Sequence, residues 1–340
     1  MFKSMSRTRS ILASKTWQRG AARLLAAVVL AAGASQAAAQ TFPDRPLRMV
    51  VPYSAGGNAD VVGRQIASKL SEVLGQQVIV DNRPGAGGLS GTEHVAKAKP
   101  DGYTILFAPT QHLMNPLLND KLAFDPIKDF APLVRFAVQP LVVVVGGELP
   151  VKTVADLVAY SNANPDKKIT YASPGNGSSV HLAGAWLAHV AGIKNATHIA
   201  YNNLPQSFLD VARGDVTYMV YPYAALRQHM KDGRLKALAT TDSARPEWLN
   251  NVPTLIELGY KDFELPATMS LYMPAGTPQP VIDTLAKAMQ KTMNDAGLKK
   301  TFEDTGSNAV AIMPAEFAKL QERDLARYKQ IISDVKLKNE

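Results

Sequence analysis

The sequence contains no cysteine among its 340 residues. Disulfide bonds, thiol nucleophiles and thiolate metal sites are therefore excluded, and the stability of the fold must come from its packed core. The sequence also lacks an HExxH motif or any other metal-ligand spacing among its six histidines. We therefore expect neither a metal nor a cofactor.

Acidic residues are absent from the first 43 positions. Six Lys and Arg residues lie in the first 23 positions, an apolar run covers residues 24–32, and three alanines at 37–39 precede Gln40. This order is typical of a cleaved secretory signal, and we predict a signal peptide over residues 1–39. A membrane anchor is the alternative, but it needs roughly 20 apolar residues. We expect a soluble, exported protein.

Surplus positive charge is also missing once this segment is removed. The remaining chain has 31 Lys and Arg residues against 29 Asp and Glu residues, a net charge of +2 in place of +8. These charges are interspersed, whereas a nucleic-acid-binding domain shows a basic patch or stripe. We therefore expect no nucleic-acid partner.

Strand and helix patterns alternate through the rest of the chain, which predicts an α/β fold with mostly parallel sheets. The predicted strands cover residues 47–51, 77–80, 103–107, 141–145, 169–172, 197–200, 216–220, 235–240 and 271–273. The predicted helices cover residues 59–74, 89–98, 154–162, 179–191, 205–213, 281–296 and 314–335. We expect the last two helices to return to the first half of the fold.

Two of the predicted strand-to-helix turns have the composition of anion sites. The first turn comprises Ser54, Ala55, Gly56, Gly57 and Asn58. Tyr53 precedes it, and Asp60 opens the helix that follows. The second comprises Ser173, Pro174, Gly175, Asn176, Gly177, Ser178 and Ser179. Backbone N–H groups at a helix start have no intrahelical partner and suit a carboxylate or phosphate. The two turns therefore predict two lobes that close on one acidic small molecule, although each alone could be an ordinary tight turn.

Further candidate residues lie near the same predicted edge. Gly87 belongs to a second glycine-rich loop, which either contacts the ligand or lets a helix pack closely on the sheet. Thr110, Gln111 and His112 follow the strand at 103–107, at the carboxyl edge where α/β proteins bind ligands; a solvated loop is the alternative. His181 opens the helix at 179–191 and could donate to ligand or pack beneath the turn.

Several segments, in chain order, resemble the Bug family, the substrate-binding proteins of tripartite tricarboxylate transporters (TctC-like proteins). They read PYSAGGNAD, NRPGAGGLSGTEHVAKAKPDGYTIL, RGDVTYM, DGRLKALATT, VPTLIELGY and MPAGTPQPVIDTLAKAM, within residues 42–335. The resemblance implies a monomeric, periplasmic, non-catalytic protein with a type II periplasmic binding fold, in which two doubly wound α/β domains enclose a ligand cleft. Its expected partners are a carboxylate solute, with a dicarboxylate favoured, and membrane permease subunits. We expect domain 1 at 41–138 plus 268–340 and domain 2 at 139–267.

One segment departs from the family pattern. Around Tyr201 the family has Pro before the tyrosine and a basic residue and Gly after it, whereas this chain has Ala200, Asn202 and Asn203. The two amides could bind a distal carboxylate, carbonyl or amide, but a charge clamp is in doubt, and Asn203 could replace the glycine in a left-handed turn. With Tyr221 they favour a flat or apolar-bodied acid, and an aromatic dicarboxylate is one candidate.

Two other classes of protein compete with this interpretation. An exported hydrolase would carry G-x-S-x-G at a strand-to-helix turn, and the second turn fails that spacing. A dinucleotide-binding domain would carry G-x-G-x-x-G, which the first turn does not give. A periplasmic sensing partner that presents its solute to a receptor kinase fits the sequence as well as a transport protein does.

Overall fold

The computed structural model describes residues 42–119, 122–261, 263 and 265–337, so the predicted signal peptide lies outside the described residues. Within them the chain forms two sheets. The first sheet contains β1 (Leu47–Val51), β2 (Val78–Asn82), β3 (Thr104–Pro109), β4 (Phe130–Gln139), β10 (Ala267–Pro274) and β11 (Asn308–Ile312). The second contains β5 (Leu141–Gly146), β6 (Ile169–Ser173), β7 (Ala196–Ala200), β8 (Tyr218–Pro222) and β9 (Leu235–Thr240).

The two sheets share one arrangement of strands. Their spatial orders are β2-β1-β3-β10-β4-β11 and β7-β6-β8-β5-β9. The first three strands of each are parallel, and the fourth, β10 or β5, is antiparallel to both of its neighbours. The predicted α/β class is confirmed, but the sheets are mixed. The strands β5 and β10, which each follow a crossing between the sheets, are antiparallel to their neighbours, and β11 pairs antiparallel with β4.

The chain crosses between the sheets twice. Pro140 alone separates β4 from β5, and the second crossing joins β9 to β10. The crossings run side by side, because Gln139 pairs with Ala267 and the Leu141 N–H donates to Thr241 Oγ1 at 3.1 Å. These adjacent crossings form the hinge region between the sheets.

Helices cover the faces of both sheets. They are α1 (Asn58–Leu74), α2 (Leu89–Ala96), α3 (Gln111–Leu118), α4 (Val154–Ala163), α5 (Ser179–Ala191), α6 (Leu204–Arg213), α7 (Tyr223–Lys231), α8 (Gln279–Met293), α9 (Ala296–Asp304) and α10 (Pro314–Asp334). Short 3₁₀ turns lie at Ala86–Gly88 and Glu247–Leu249. None of the helices in the described ranges is long and apolar enough to cross a membrane.

Local chemistry explains these elements. In α1, Val62, Ile66 and Leu70 form one buried stripe, so that face packs on the sheet. The helix α4 begins at a capping box, in which Thr153 Oγ1 accepts from the Asp156 N–H and the Asp156 carboxylate accepts from the Thr153 N–H. Every residue of the valine-rich β5 is buried, as expected for a strand covered on both faces.

The carboxyl-terminal helix returns to the first half of the fold, as predicted, and it also contacts the second half. It packs on β4 and α3 and also against α5. Tyr328, Ile331 and Ile332 share one apolar core with the second sheet, and Leu113 and Met114 of α3 belong to that core too. The other late helix, α8, does return to the first sheet, where it packs on α1 and β4. It ends at Met293, and a separate helix, α9, follows.

Candidate functional site

The first loop (residues 54–58) joins β1 to α1 and is exposed throughout. Asp60 behind it is buried, and its carboxylate accepts from the Gly56 N–H at 2.8 Å and from Arg64 Nε at 3.1 Å. These two hydrogen bonds, the Arg64 bond first, lower the pKa of Asp60. Asp60 therefore holds the loop in place through Gly56 and neutralises the charge of Arg64. A direct contact between Asp60 and the ligand stays a prediction.

The amino terminus of α1 is open at this loop. Its N-cap residue is Gly57, which supplies no side-chain acceptor. The first intrahelical bond runs from the Val61 N–H to the Gly57 carbonyl, so the N–H groups of Asn58 and Ala59 have no acceptor within the helix. The helix dipole adds partial positive charge at the same point. An exposed, uncapped helix start of this kind can bind a carboxylate.

The glycine loop (residues 84–88) lies beside the first loop. A Cβ built on Gly88, which has φ +96°, would lie 3.1 Å from Tyr53 Oη, so the tyrosine ring packs directly over this glycine. Asn82 Nδ2 donates to the Tyr53 carbonyl at 3.1 Å. Burial raises the pKa of Tyr53 to about 12, so its hydroxyl remains a neutral donor or acceptor. Tyr53 thus connects the first loop to the glycine loop.

The second loop (residues 173–179) is tied together internally. Ser173 is buried; its Oγ accepts from the Gly175 N–H at 3.1 Å and lies 2.6 Å from His198 Nε2. Ser178 caps α5 by accepting from the His181 N–H. Unlike α1, α5 therefore begins with a cap already in place.

Two histidines lie beneath the second loop. The rings of His181 and His198 stack with their centroids 3.8 Å apart, and His181 Nδ1 accepts from the Gly177 N–H. Burial, with a smaller contribution from His198, lowers the pKa of His181 to about 4. His181 is therefore neutral near pH 7 and packs against His198 beneath the loop, and a direct contact with ligand stays a prediction. Within this loop, Pro174 and Asn176 are the exposed residues.

The amino end of α3 brings elements of both halves together. Gln111 Nε2 donates to Ser179 Oγ at the start of α5 over a long 3.5 Å, and Asn115 Nδ2 donates to the Gly87 carbonyl at 3.4 Å. The sequence prediction named Gln111, Ser179 and Gly87 but missed Asn115, because Pro116 in the same segment argues against a helix.

Two predicted residues of the same segment lie in the interior. Thr110 Oγ1 accepts from the Thr268 N–H at 2.8 Å. His112 packs between Phe130 and Tyr272, its Nε2 lies 3.1 Å from the Pro126 carbonyl, and burial lowers its pKa to about 4. The solvated loop, which was the alternative for this segment, does not form: Thr110 and His112 are buried at the start of α3. Their contact with ligand stays a prediction.

The Tyr201 segment follows β7. Tyr201 Oη donates to Asp210 at 2.7 Å, while Asn202 and Asn203 are exposed. Asn203 has φ −111°, so the suggested left-handed turn is wrong. Tyr221, at the end of β8, is half-buried with its ring edge against Phe208. The exposed amides thus remain available for polar contacts.

Within the described residues, no cluster of three or more His, Asp or Glu side chains could hold a metal ion. The site consists of backbone N–H groups, hydroxyls and amides on loops that follow parallel strands in two sheets joined by a hinge. That combination defines a two-lobed solute-binding protein.

Comparison with known proteins agrees with this class. The family model described as "Tripartite tricarboxylate transporter family receptor" matches residues 62–337. The chain therefore belongs to this family of periplasmic solute-binding proteins.

Solved structures of three similar proteins show the same fold. The periplasmic binding protein BugD is 30% identical with a TM-score of 0.73, covering 88% of this chain and 100% of its own. Rpa4515 from R. palustris, solved with adipate, is 28% identical with a TM-score of 0.75 over 87% and 99% of the two chains. MatC from Rhodopseudomonas palustris, solved with malate, is 26% identical with a TM-score of 0.71 over 86% and 100%. The predicted type II periplasmic binding fold and Bug-family membership are confirmed.

Proposed function

We propose that this protein captures a dicarboxylate in the periplasm and delivers it to the membrane subunits of a tripartite tricarboxylate-type transporter. The observation that carries this proposal is the open amino terminus of α1 beneath the exposed first loop. Such a site binds a carboxylate through directed hydrogen bonds without a full opposing charge.

The first carboxylate of the solute binds at the first loop in this proposal. The N–H groups of Asn58 and Ala59 donate to it, and the Ser54 hydroxyl lies on the same exposed loop. Arg64 does not act as the counterion, because its guanidinium is paired with Asp60. The site therefore attracts an anion through the helix dipole and oriented N–H groups. These fixed donors replace the water molecules that solvate the carboxylate in solution.

The second polar end of the solute faces the other lobe. Asn176, Asn202 and Asn203 are exposed there, and each amide can donate to a carboxylate or accept from an amide. Two relatives bind a four-carbon and a six-carbon dicarboxylate, malate and adipate. These features support a dicarboxylate, and the half-buried Tyr221 keeps an aromatic one among the candidates.

Closure around the solute follows from the arrangement of the hinge. A ligand that touches loops on both lobes favours the closed form by its differential affinity for that form. The Gln111 to Ser179 contact joins the amino ends of α3 and α5, so it strengthens or weakens as the lobes move. The closed form is the species that the membrane subunits bind in this proposal.

We assign residues 1–39 to a cleaved export signal and treat the mature protein as a monomer. The strand bounds support lobes divided near residues 138 and 268, since β4 ends at Gln139 and β10 begins at Ala267.

A thermal-shift screen of the mature protein tests the proposal. The panel contains mono-, di- and tricarboxylates, aliphatic and aromatic, with the diamide of each dicarboxylate as its uncharged control. A hundredfold excess over Kd stabilises the folded form by about 2.7 kcal/mol, so a micromolar ligand gives a clear rise in Tm. We expect a saturable rise with one dicarboxylate class and none with its diamide. The absence of a shift with every acid, or equal shifts with acid and diamide, would refute the proposal.

A further inference from the structure

A cavity of about 440 Å³ lies between α5, β7 and the segment that follows α10. Its wall contains His181 and Ala185 from α5, His198 from β7, and residues 335–337. Among the described residues that line it, Asn176 alone belongs to the second loop, and none belongs to the first loop, the glycine loop or α3. The cavity, here called the tail cavity, therefore borders the second loop but is separate from the carboxylate site proposed at α1.

The hydrogen bond that His181 makes to the second loop decides which of its ring nitrogens carries the proton. Nδ1 accepts from the Gly177 N–H at 3.3 Å, so Nδ1 is unprotonated. Burial lowers the pKa of His181 to about 4, and the ring is neutral near pH 7. A neutral imidazole has one N–H group, which must then be at Nε2. Stacking on His198, with the ring centroids 3.8 Å apart, holds this ring in place.

The Nε2–H group of His181 is a donor without an acceptor. His181 is only 6% exposed, and no atom of the described residues accepts a hydrogen bond from Nε2. This nitrogen is nevertheless not cut off from solvent, so it opens into the tail cavity that the residue lines. A buried polar side chain that keeps one donor free gains a hydrogen bond when an acceptor enters the cavity.

The end of α10 places a lysine at the same cavity, in a backbone conformation that usually belongs to glycine. The N–H groups of Lys336 and Leu337 donate to the carbonyls of Ser333 and Ile332 at 3.2 Å and 3.0 Å, which is a Schellman motif. Lys336 has φ +52°, a left-handed conformation that disfavours side chains. A strained position that carries a long cationic side chain beside a cavity is a candidate for function.

We propose that the tail cavity is a second binding site, for a small anion with carboxylate or phosphate oxygens. His181 Nε2 and the Asn176 amide supply hydrogen-bond donors, and the Lys336 ammonium group supplies positive charge. The volume lies within the range of about 300–1,000 Å³ that is usual for small-molecule sites. Because the His181 ring also accepts from Gly177, an anion bound here would stabilise the second loop in its present conformation.

Titration of the mature protein with inorganic phosphate, and separately with acetate, tests this site by calorimetry and thermal shift at constant ionic strength. His181→Asn removes the Nε2 donor but keeps a side-chain oxygen that can accept from Gly177. Lys336→Gln removes the charge, and the matched control is Lys329→Gln, at an exposed position of α10. We expect saturable binding that each site variant weakens about tenfold and that the control leaves unchanged. The anion that binds more tightly identifies the oxyanion as a phosphate or a carboxylate.

Two further variants separate this site from misfolding and from the site at α1. Lys336→Gly relieves the left-handed strain, so it should keep or raise the Tm while it weakens anion binding. Gly57→Val blocks the amino end of α1 and should leave anion binding in the tail cavity unchanged. The proposal is overturned if neither anion binds saturably, or if Gly57→Val abolishes the binding. It is also overturned if wild type, the two Lys336 variants and Lys329→Gln respond equally, because excluded salts stabilise all of them alike.

Discussion

Substitution of Gly57 by valine should abolish ligand binding while the protein stays folded. Gly57 is the N-cap of α1, and an N-cap side chain lies over the first-turn N–H groups. Valine has no acceptor atom, so its two methyl groups would cover these donors without satisfying them. The substitution therefore removes the carboxylate site that the proposed function requires.

The backbone at Gly57 accepts a side chain without strain. Its φ of −77° and ψ of 168° are ordinary extended values. A Cβ built there lies 3.4 Å from the Ser54 carbonyl oxygen, an ordinary contact. The neighbouring Gly56 has φ +81°, where a side chain would be strained, so it is unsuitable for this test. We expect the free energy of unfolding to change by no more than about 1 kcal/mol.

The loss in affinity follows from the hydrogen bonds removed. A hydrogen bond to a charged group contributes about 1.5–3 kcal/mol, so loss of two weakens binding by roughly 100-fold or more. Calorimetry with the dicarboxylate found in the screen measures this, and a thermal melt measures stability. Gly57→Asp sharpens the test, because its carboxylate would cap α1 itself and compete with the ligand while keeping or raising stability.

A matched control for this substitution is Gly297→Val. Gly297 is exposed near the start of α9, lacks a left-handed backbone, and its added Cβ would also meet an oxygen, Asp295 Oδ1, at 3.3 Å. It should keep wild-type affinity. Wild-type binding by both Gly57→Val and Gly57→Asp would refute the assignment of the carboxylate site to the amino end of α1.

Three further predictions concern neighbouring groups. Asp60→Asn should lower the free energy of unfolding by about 1–2 kcal/mol. The folded-state pKa of Asp60 is lowered, so the stabilisation that its carboxylate provides is complete above the ordinary pKa of 3.8 and is lost as the pH falls below that value. The variant should therefore lose less stability than the wild type when the pH is lowered through this range. An unchanged acid limb in thermal melts would contradict this. His181 is kept neutral by a lowered pKa, so stability should fall as pH drops from 6.5 towards about 4; His181→Asn should reduce that fall, and equal pH profiles would argue against it. Gln111→Ala should leave stability within about 0.5 kcal/mol and weaken ligand binding several-fold through loss of the Ser179 contact. Wild-type affinity of this variant in calorimetry would count against a role for Gln111 in closure.

Some elements could be predicted almost to the residue because their causes are local. The helix at 179–191 and the strand at 235–240 have the predicted bounds, and the helix predicted at 154–162 forms with Thr153 as its cap. The signals that define these elements are the spacing of apolar residues, the capping residue and the turn at the end, and all of them lie within the segment itself. The valine run at 141–145 likewise identifies a buried strand from composition alone.

Other elements depend on partners that are remote in sequence. The strand β4 contains Pro132 and Arg135, both unusual in a buried strand, and the arginine is compensated by Asp324, 189 positions later. The segment that forms α3 carries Pro116, so its pattern does not indicate a helix. The His181 to His198 stack depends on the register that places His198 beside Tyr171 in β6, and spacing alone does not reveal that register.

The first loop and the second loop are similar in sequence but differ in their hydrogen bonding. Both follow a parallel strand and lead into a helix, yet Gly57 leaves α1 uncapped, whereas Ser178 caps α5. An uncapped helix start gains new hydrogen bonds when a carboxylate arrives, while a capped one has fewer donors to offer. We therefore expect the first loop to be the stronger anion site before closure, and the second lobe to contribute mainly through side chains such as Asn176. This asymmetry favours an order of binding in which the solute binds first to the first loop and contacts the second lobe only afterwards.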